Sequence, residues 1–316
     1  MQLILWGYFK KLVLADRMNI LVTIVYSDLE NIYFSHGGLL LITMFFSAIQ
    51  LYLDFSGYTD IALGVSQMFG IRLEQNFNHP FFSRSAAEFW QRWHMSLSSW
   101  FKDYLFFPVS RSRLVRNASK SMGTRFGPSA RKKTMIALSS AVVWLATGLW
   151  HGTGINYIVW GAYWGCIIIF SEVFDGFIQK MNKAFCINTA APTWKLFQTL
   201  RTFLIFMFGK MISAQSSLHA VKTVLFGIVH HFHFSDRWLV YELGLTRLDL
   251  DIIRIGLLLV FAVSVLQERG VRVREWIAGW NAIPRWIFYS LALSLVLLLG
   301  LYGADYDMSS FAYQFF

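Results

Sequence analysis

Long apolar runs separated by short polar stretches set the pattern of this chain. Residues 12–26 are apolar after Lys10 and Lys11, and 37–55 form a clear run that GVSQMFG continues as a shorter helix toward Gly70. Further runs cover about 134–150, 153–173, 196–214, 252–267 and 285–303, with a shorter one at 215–230. A helix needs about 20 apolar residues to cross a bilayer core, and most of these runs approach that length. The segment EFWQRWHMSLSSWFKDYLFF (88–107) reads differently. At about 100° per residue, Trp90, Trp93, Leu97, Phe101, Tyr104 and Leu105 share one arc, and Glu88, Gln91, Arg92, Ser96, Ser99, Lys102 and Asp103 the opposite one. This predicts one amphipathic helix, lying at the interface or re-entering the membrane. The expected fold is therefore all-α, a polytopic transmembrane helical bundle forming a single integral-membrane domain over 1–316.

Composition agrees. Hydrophobic residues make up 56% of the 316 and charged residues 15%, against about a quarter charged in soluble domains. Aromatics reach 18%, including 13 Trp, which fits anchoring at membrane interfaces.

The net charge of +10 would suit nucleic acid if it were spread over a soluble surface, but it is concentrated in loops. From Pro108 to Lys133 there are eight cations and no acid. Between spans such a loop reads as a cytoplasmic topology signal that touches anionic lipid; the sharper reading is a docking surface for phosphate groups or an acidic partner. With that loop inside, 175–195 and 268–285 also fall inside with a cationic excess. The tail with Asp305 and Asp307 falls outside, as does 231–251 if 215–230 does not cross. His151 then sits at an outward-directed turn. The two cysteines indicate no disulfide framework. Lys10 and Lys11 interrupt the first apolar run and no cleavage site follows, so no signal peptide is expected.

The candidate chemistry centres on ATGLWHGTG (146–154). An ionisable ring at membrane depth is costly and usually faces a polar cavity. Gly148, Gly152 and Gly154 around His151 let backbone or a ligand come close. Irregular backbone at such depth must be buried in protein or line water. Gly161 and Gly165 make a small-xxx-small pair suited to helix packing. His94, in the apolar arc, reads by itself as a packed core residue. HHFH (230–233) lacks the partners of a standard metal site, so no metal is expected. Asp54 and Asp60 read as flanking a turn at the end of a span, where they would cap helices or pair with Arg. No GxSxG, P-loop or GxGxxG occurs, and no nucleophile has a base beside it. A neutral histidine in a dry tunnel can still act as general base toward a hydroxyl, which suits direct acyl transfer from a thioester.

DFSGYTDIALG (54–64), NFNHPFFSRSAAEFWQRWHMSLSSWFKDYLFFP (76–108) and GLWHGTGINYIVWGAYWG (148–165) together resemble the membrane-bound O-acyltransferase family. The similarity points to the bacterial branch that includes alginate O-acetyltransferase and teichoic-acid D-alanyl transferase. WGYFKKLVLADRMN (6–19) and FAYQFF (311–316) extend it nearly end to end. The resemblance implies a multi-pass cell-membrane protein whose helices surround a tunnel, with a cytoplasmic acyl donor and an extracytoplasmic hydroxyl acceptor. It implies that His151 is the essential histidine and takes the acceptor's proton. His94 would be the second histidine, orienting the donor or stabilising the oxyanion. Trp150, Asp103, Asn156, Tyr157 and Trp160 would shape or polarise the tunnel.

No bound cofactor is expected; acyl-CoA or an acyl-carrier thioester is the donor substrate. The expected partners are the lipid bilayer, that donor, and an extracytoplasmic polysaccharide or partner acetylation proteins, with no nucleic acid. Acetyl transfer to an exported polysaccharide is the leading expectation, and D-alanyl transfer to teichoic acid the rival within the class. A transporter or channel is the rival outside it, which would tolerate substitution of His151; the symmetric halves typical of transporters are not evident. Family members usually carry several further spans before the WGYFKK segment, so these N-terminal spans are expected to be missing here.

Overall fold

The computed structural model describes residues 1–29 and 35–302. The tail with Asp305 and Asp307 and the FAYQFF ending lie outside the described residues. The described chain is helical, with no strand. In order it forms α1 (Gln2–Tyr8), a π-helical stretch (Phe9–Ala15), α2 (Asp16–Ser27), α3 (Gly37–Met68), α4 (Ala86–Arg92), α5 (Met95–Phe101), a second π-helical stretch (Lys102–Phe106), α6 (Phe107–Arg111) and α7 (Arg113–Phe126). Then follow α8 (Pro128–His151), α9 (Ile155–Ala184), α10 (Pro192–Ala214), α11 (Leu218–His230), a 3-10 helix (Phe234–Tyr241), α12 (Arg247–Glu268), α13 (Val273–Ala278) and α14 (Ala282–Leu299). Among the described residues α3, α8, α9 and α14 are long and apolar enough to cross a membrane. Two compact units form, one from the described parts of Met1–His79 and Lys222–Phe316, the other from Pro80–Val221.

In the first unit the opening helix runs unbroken from Gln2 to Ser27, with Lys10 and Lys11 in its π-helical stretch. The lysines do not end the apolar run as the sequence suggested; they are buried in it. Lys11 Nζ lies 2.7 Å from Asp54 and 2.8 Å from Asp16. Lys10 Nζ lies 2.8 Å from Asp60 and donates to Ser56 Oγ at 2.9 Å. The expectation for Asp54 and Asp60 is corrected here: both lie within the continuous α3, and their partners are lysines, not arginine. The helices come close enough because Gly7 faces α3 without a side chain; a Cβ there would meet the Gly57 carbonyl at 2.6 Å. Arg17 fastens the far end. It bonds Asp249 at 2.7 Å and donates to the carbonyls of Val13 and Leu299, each at 2.8 Å. A guanidinium at the last carbonyls of α14 meets both the unsatisfied groups and the helix dipole.

The second unit is built on two hairpins. Gly127, at φ 90°, turns α7 into α8. Residues 152–154 turn α8 into α9. The α8–α9 crossing is tight because two glycines oppose each other: a Cβ on Gly148 would lie 2.5 Å from the Tyr157 carbonyl and 3.3 Å from Gly161 Cα. Gly165 lies against Trp144 in the same seam, so the small-residue pair read from the sequence is a packing face. At the other end Lys133 Nζ donates to the Val173 carbonyl at 2.6 Å.

The amphipathic helix expected over 88–107 is not continuous. It breaks at Trp93 and His94, between α4 and α5, and widens into the second π-helical stretch. The one-arc arrangement therefore holds only in pieces. Ser98 Oγ crosses the break, donating to the Trp90 carbonyl at 3.0 Å.

Lys11→Met leaves two buried carboxylates without their ammonium and should cost about 3–5 kcal/mol, read as a lower melting temperature of the purified protein. Arg254→Met, which removes a pair with Asp251 in which both side chains are more than half exposed, should leave the melt unchanged. In the α8–α9 seam, Gly161→Leu should abolish folded protein in a size-exclusion assay, because the new side chain meets the Gly148 backbone and the Trp144 carbonyl. Gly176→Ala on the same helix has nothing within 4 Å and should raise stability by up to about 1 kcal/mol through helix propensity.

Candidate functional site

His151 is the last residue of α8. The glycine after it is forced by what lies opposite: a Cβ on Gly152 would meet the Tyr157 ring at 2.5 and 2.6 Å. Gly154 then starts α9, its carbonyl accepting from Tyr157 N–H at 3.0 Å. The reversal takes three residues, so the first turns of α9 come back alongside the end of α8. That places Trp160 edge-on to the His151 ring, centroids 4.6 Å apart at 78°. Tyr157 lies nearly parallel to the imidazole at 6.5 Å and 16°.

Beneath this turn is a cluster of indoles. Trp160 meets Trp90 at 5.8 Å and Trp144 at 6.1 Å, and Trp90 meets Trp144 at 4.9 Å and Trp164 at 5.0 Å. Phe89 lies flat against Trp164 at 6.1 Å and 4°. Edge-to-face and offset contacts of this kind fix ring positions as well as burying area. Trp160 and Trp164 are buried while His151 is half-buried, so the imidazole stands at the edge of a rigid apolar floor.

His94 arrives by a different route. It occupies the break between α4 and α5 with φ 44° and ψ 56°, a left-handed conformation that costs a non-glycine residue about 1–2 kcal/mol. Trp93 before it is extended. The kink turns His94 toward α8, its ring centroid 6.5 Å from Trp150. Trp150 in turn lies 4.8 Å from His151. Both candidate histidines thus meet one indole. A strained residue held beside a half-buried ionisable one is the kind of outlier that marks functional sites.

The other sequence candidates fall in different places. Trp150 and Trp160 line the site as described. Asn156 is buried and donates through Nδ2 to the Gln215 carbonyl at 2.9 Å and the Ser213 carbonyl at 3.4 Å, tying the end of α10 to the start of α9. Asp103 is exposed on the second π-helical stretch, and its side chain forms no hydrogen bond or ion pair among the described residues. One charged residue escaped the sequence reading: Lys210, on α10. Its signal was present, since it is the lone charge in TFLIFMFGKMISA (202–214), and such residues at membrane depth are functional candidates. Asn156 holds the helix end that follows it. Among the described residues no cluster could hold a metal ion.

Comparison with known proteins adds to this geometry. The profile of the membrane-bound O-acyltransferase family matches residues 5–217, which include both histidines. The chain is 33% identical over 266 residues to a probable alginate O-acetylase, AlgI, of Pseudomonas syringae pv. tomato, covering 84% of this chain and 44% of that protein. It is 30% identical over 176 residues to the peptidoglycan O-acetyltransferase of Helicobacter pylori, covering 56% of this chain and 30% of that protein. It is also 30% identical over 183 residues to the teichoic acid D-alanyltransferase of Bacillus subtilis, covering 57% and 42%. The chain thus spans less than half the length of these relatives. The matched region, carried on a framework with four helices among the described residues long and apolar enough to cross a membrane, makes this chain a member of the membrane-bound O-acyltransferase family.

Proposed function

We propose that this chain carries the catalytic histidines of a multi-pass cell-membrane O-acyltransferase that acetylates hydroxyls of a cell-surface or exported polysaccharide. The observation that carries the reading is the meeting of His151 and His94 at Trp150, at the end of an apolar helix and beside a packed aromatic floor. The relatives named as O-acetylases support the choice of reaction.

In the proposed reaction the acceptor hydroxyl reaches His151 from outside the cell, and a thioester of CoA or of a carrier protein reaches the same point through a tunnel from the cytoplasm. His151 takes the hydroxyl proton as the oxygen attacks the thioester carbonyl. The tetrahedral intermediate collapses, the carbon–sulfur bond breaks, and the imidazolium returns the proton to the departing thiolate. His94 orients the donor and stabilises the developing oxyanion, with the Lys210 ammonium adding positive charge nearby. Trp150, Tyr157 and Trp160 hold the reacting ring and exclude water. Asn156 acts through α10, and Asp103 polarises the passage. No bound cofactor is needed beyond the donor itself. Partner acetylation proteins outside the membrane would receive or present the polymer.

Transfer of D-alanine to teichoic acid uses the same histidine chemistry, and the similarity to the B. subtilis enzyme favours it as the second reading. The mass of the group added to the envelope polymer separates the two.

Replacement of His151 by alanine should lower acylation of envelope glycans by at least about 100-fold, the scale of a lost general base, while the protein still inserts and melts normally. Mass analysis of glycans purified from cells with and without the protein reads this; undiminished acylation in the variant removes the mechanism. Gly152→Ala should also cut acylation, because the new methyl displaces Tyr157 from beside His151. Gly127→Ala, strained at a comparable turn but with nothing near its Cβ, should fold less stably yet keep its activity per folded molecule.

A further inference from the structure

The hairpin of α7 and α8 carries a surface that the acyl-transfer reading does not use. Of the eight cations between Pro108 and Lys133, three are engaged within the chain: Arg111 over Phe107, Arg125 over Phe126, and Lys133 on the Val173 carbonyl. The other five, Arg113, Arg116, Lys120, Arg131 and Lys132, are exposed, and their side chains form no ion pair, hydrogen bond or ring contact among the described residues.

Their arrangement is ordered. Arg113, Arg116 and Lys120 recur at i, i+3 and i+7, within about 60° of one another around α7. They adjoin the face that α7 packs inward through Val115 and Ser119. The next position of the stripe, i+10, is Gly123, and the side chain of Arg131 from α8 lies over it. A Cβ on Gly123 would meet Arg131 Cβ at 2.8 Å and Cδ at 3.3 Å. The missing side chain thus lets a fourth cation extend the row, about 15 Å from end to end by helix rise.

Position and chemistry point to the occupant. Counting from the Gly123–Arg131 contact along the hairpin, Lys120 is level with Thr134, where the apolar part of α8 begins. Arg116 and Arg113 come about 6 and about 10 Å farther along. Long cationic side chains at such depth extend back to the headgroup layer. On its outward side the same helix projects Leu114, 84% exposed, a residue suited to acyl chains and not to an aqueous partner.

We propose that Arg113, Arg116, Lys120 and Arg131 form a phosphate-binding row that holds anionic phospholipid at the membrane surface. The row supplies charge matched to the phosphate and to the additional negative charge of such lipids, and its continuity with α8 fixes it at the membrane boundary.

The test uses the chain of residues 1–316 in nanodiscs of phosphatidylglycerol and phosphatidylcholine in equal amounts with matched acyl chains, with retained lipid of each class counted by native mass spectrometry. The wild type should retain phosphatidylglycerol severalfold over phosphatidylcholine, and added salt should reduce that preference. Arg113→Gln/Arg116→Gln/Lys120→Gln should lower it by up to about fivefold per charge removed. Arg113→Lys/Arg116→Lys should keep it. Equal retention of both lipids by the wild type, a salt-insensitive preference, or an unchanged preference in the folded triple variant overturns the proposal. The wild-type salt series decides the matter even if the triple variant does not fold.

Discussion

The candidate site depends on how closely α8 and α9 approach. Gly148 and Gly161 put two backbones in near contact, and no other residue pair could hold the helices at that separation. Between membrane helices the hydrophobic effect offers little attraction, so small residues that allow close packing carry much of the association. The close crossing shortens the connection to residues 152–154. It also decides which rings of α9 can reach His151, because Tyr157 and Trp160 are one turn apart and both return toward the end of α8. Trp144 and Trp164, from the same pair of helices, fill the space behind them.

Against that fixed pair the second histidine is held by a break in regular structure. A continuous helix through 88–107 would have kept His94 on its own apolar face. The left-handed residue between α4 and α5 turns it to Trp150 instead. The neighbouring aromatic contacts bear the cost: Phe89, Trp90 and Trp93, just before the kink, are packed on Trp164 and Phe206. A residue in a costly conformation persists only where its surroundings over-determine it, and here the surroundings are a dense aromatic core.

The first unit treats polar groups in another way. Lys10, Lys11 and Arg17 sit within one helix, and each meets a carboxylate from elsewhere in the fold. Buried charges are tolerable when paired in good geometry, and breaking such a pair costs more than never having made it. These pairs therefore register the first helix against α3 and α12, acting as a constraint on placement more than as a source of net stability.

Much of this was legible in the residues. Hydrophobic run length picked out α3, α8, α9 and α14, the described helices long and apolar enough to cross a membrane, while the runs at 12–26, 196–214 and 252–267 formed helices outside that set. His151 among glycines was recognisable, since a titratable ring in an apolar setting is costly wherever it points. The resemblance read from three segments agreed with the family match. Periodicity, however, reports only neighbours along one helix. It could not show that Lys11 meets Asp54, 43 positions away, or that the lysines sit inside a continuous helix. Nor could it show that His94 leaves its helical arc. Those placements depend on which helices cross and at what distance, and that is set by side chains far apart in the chain meeting in space.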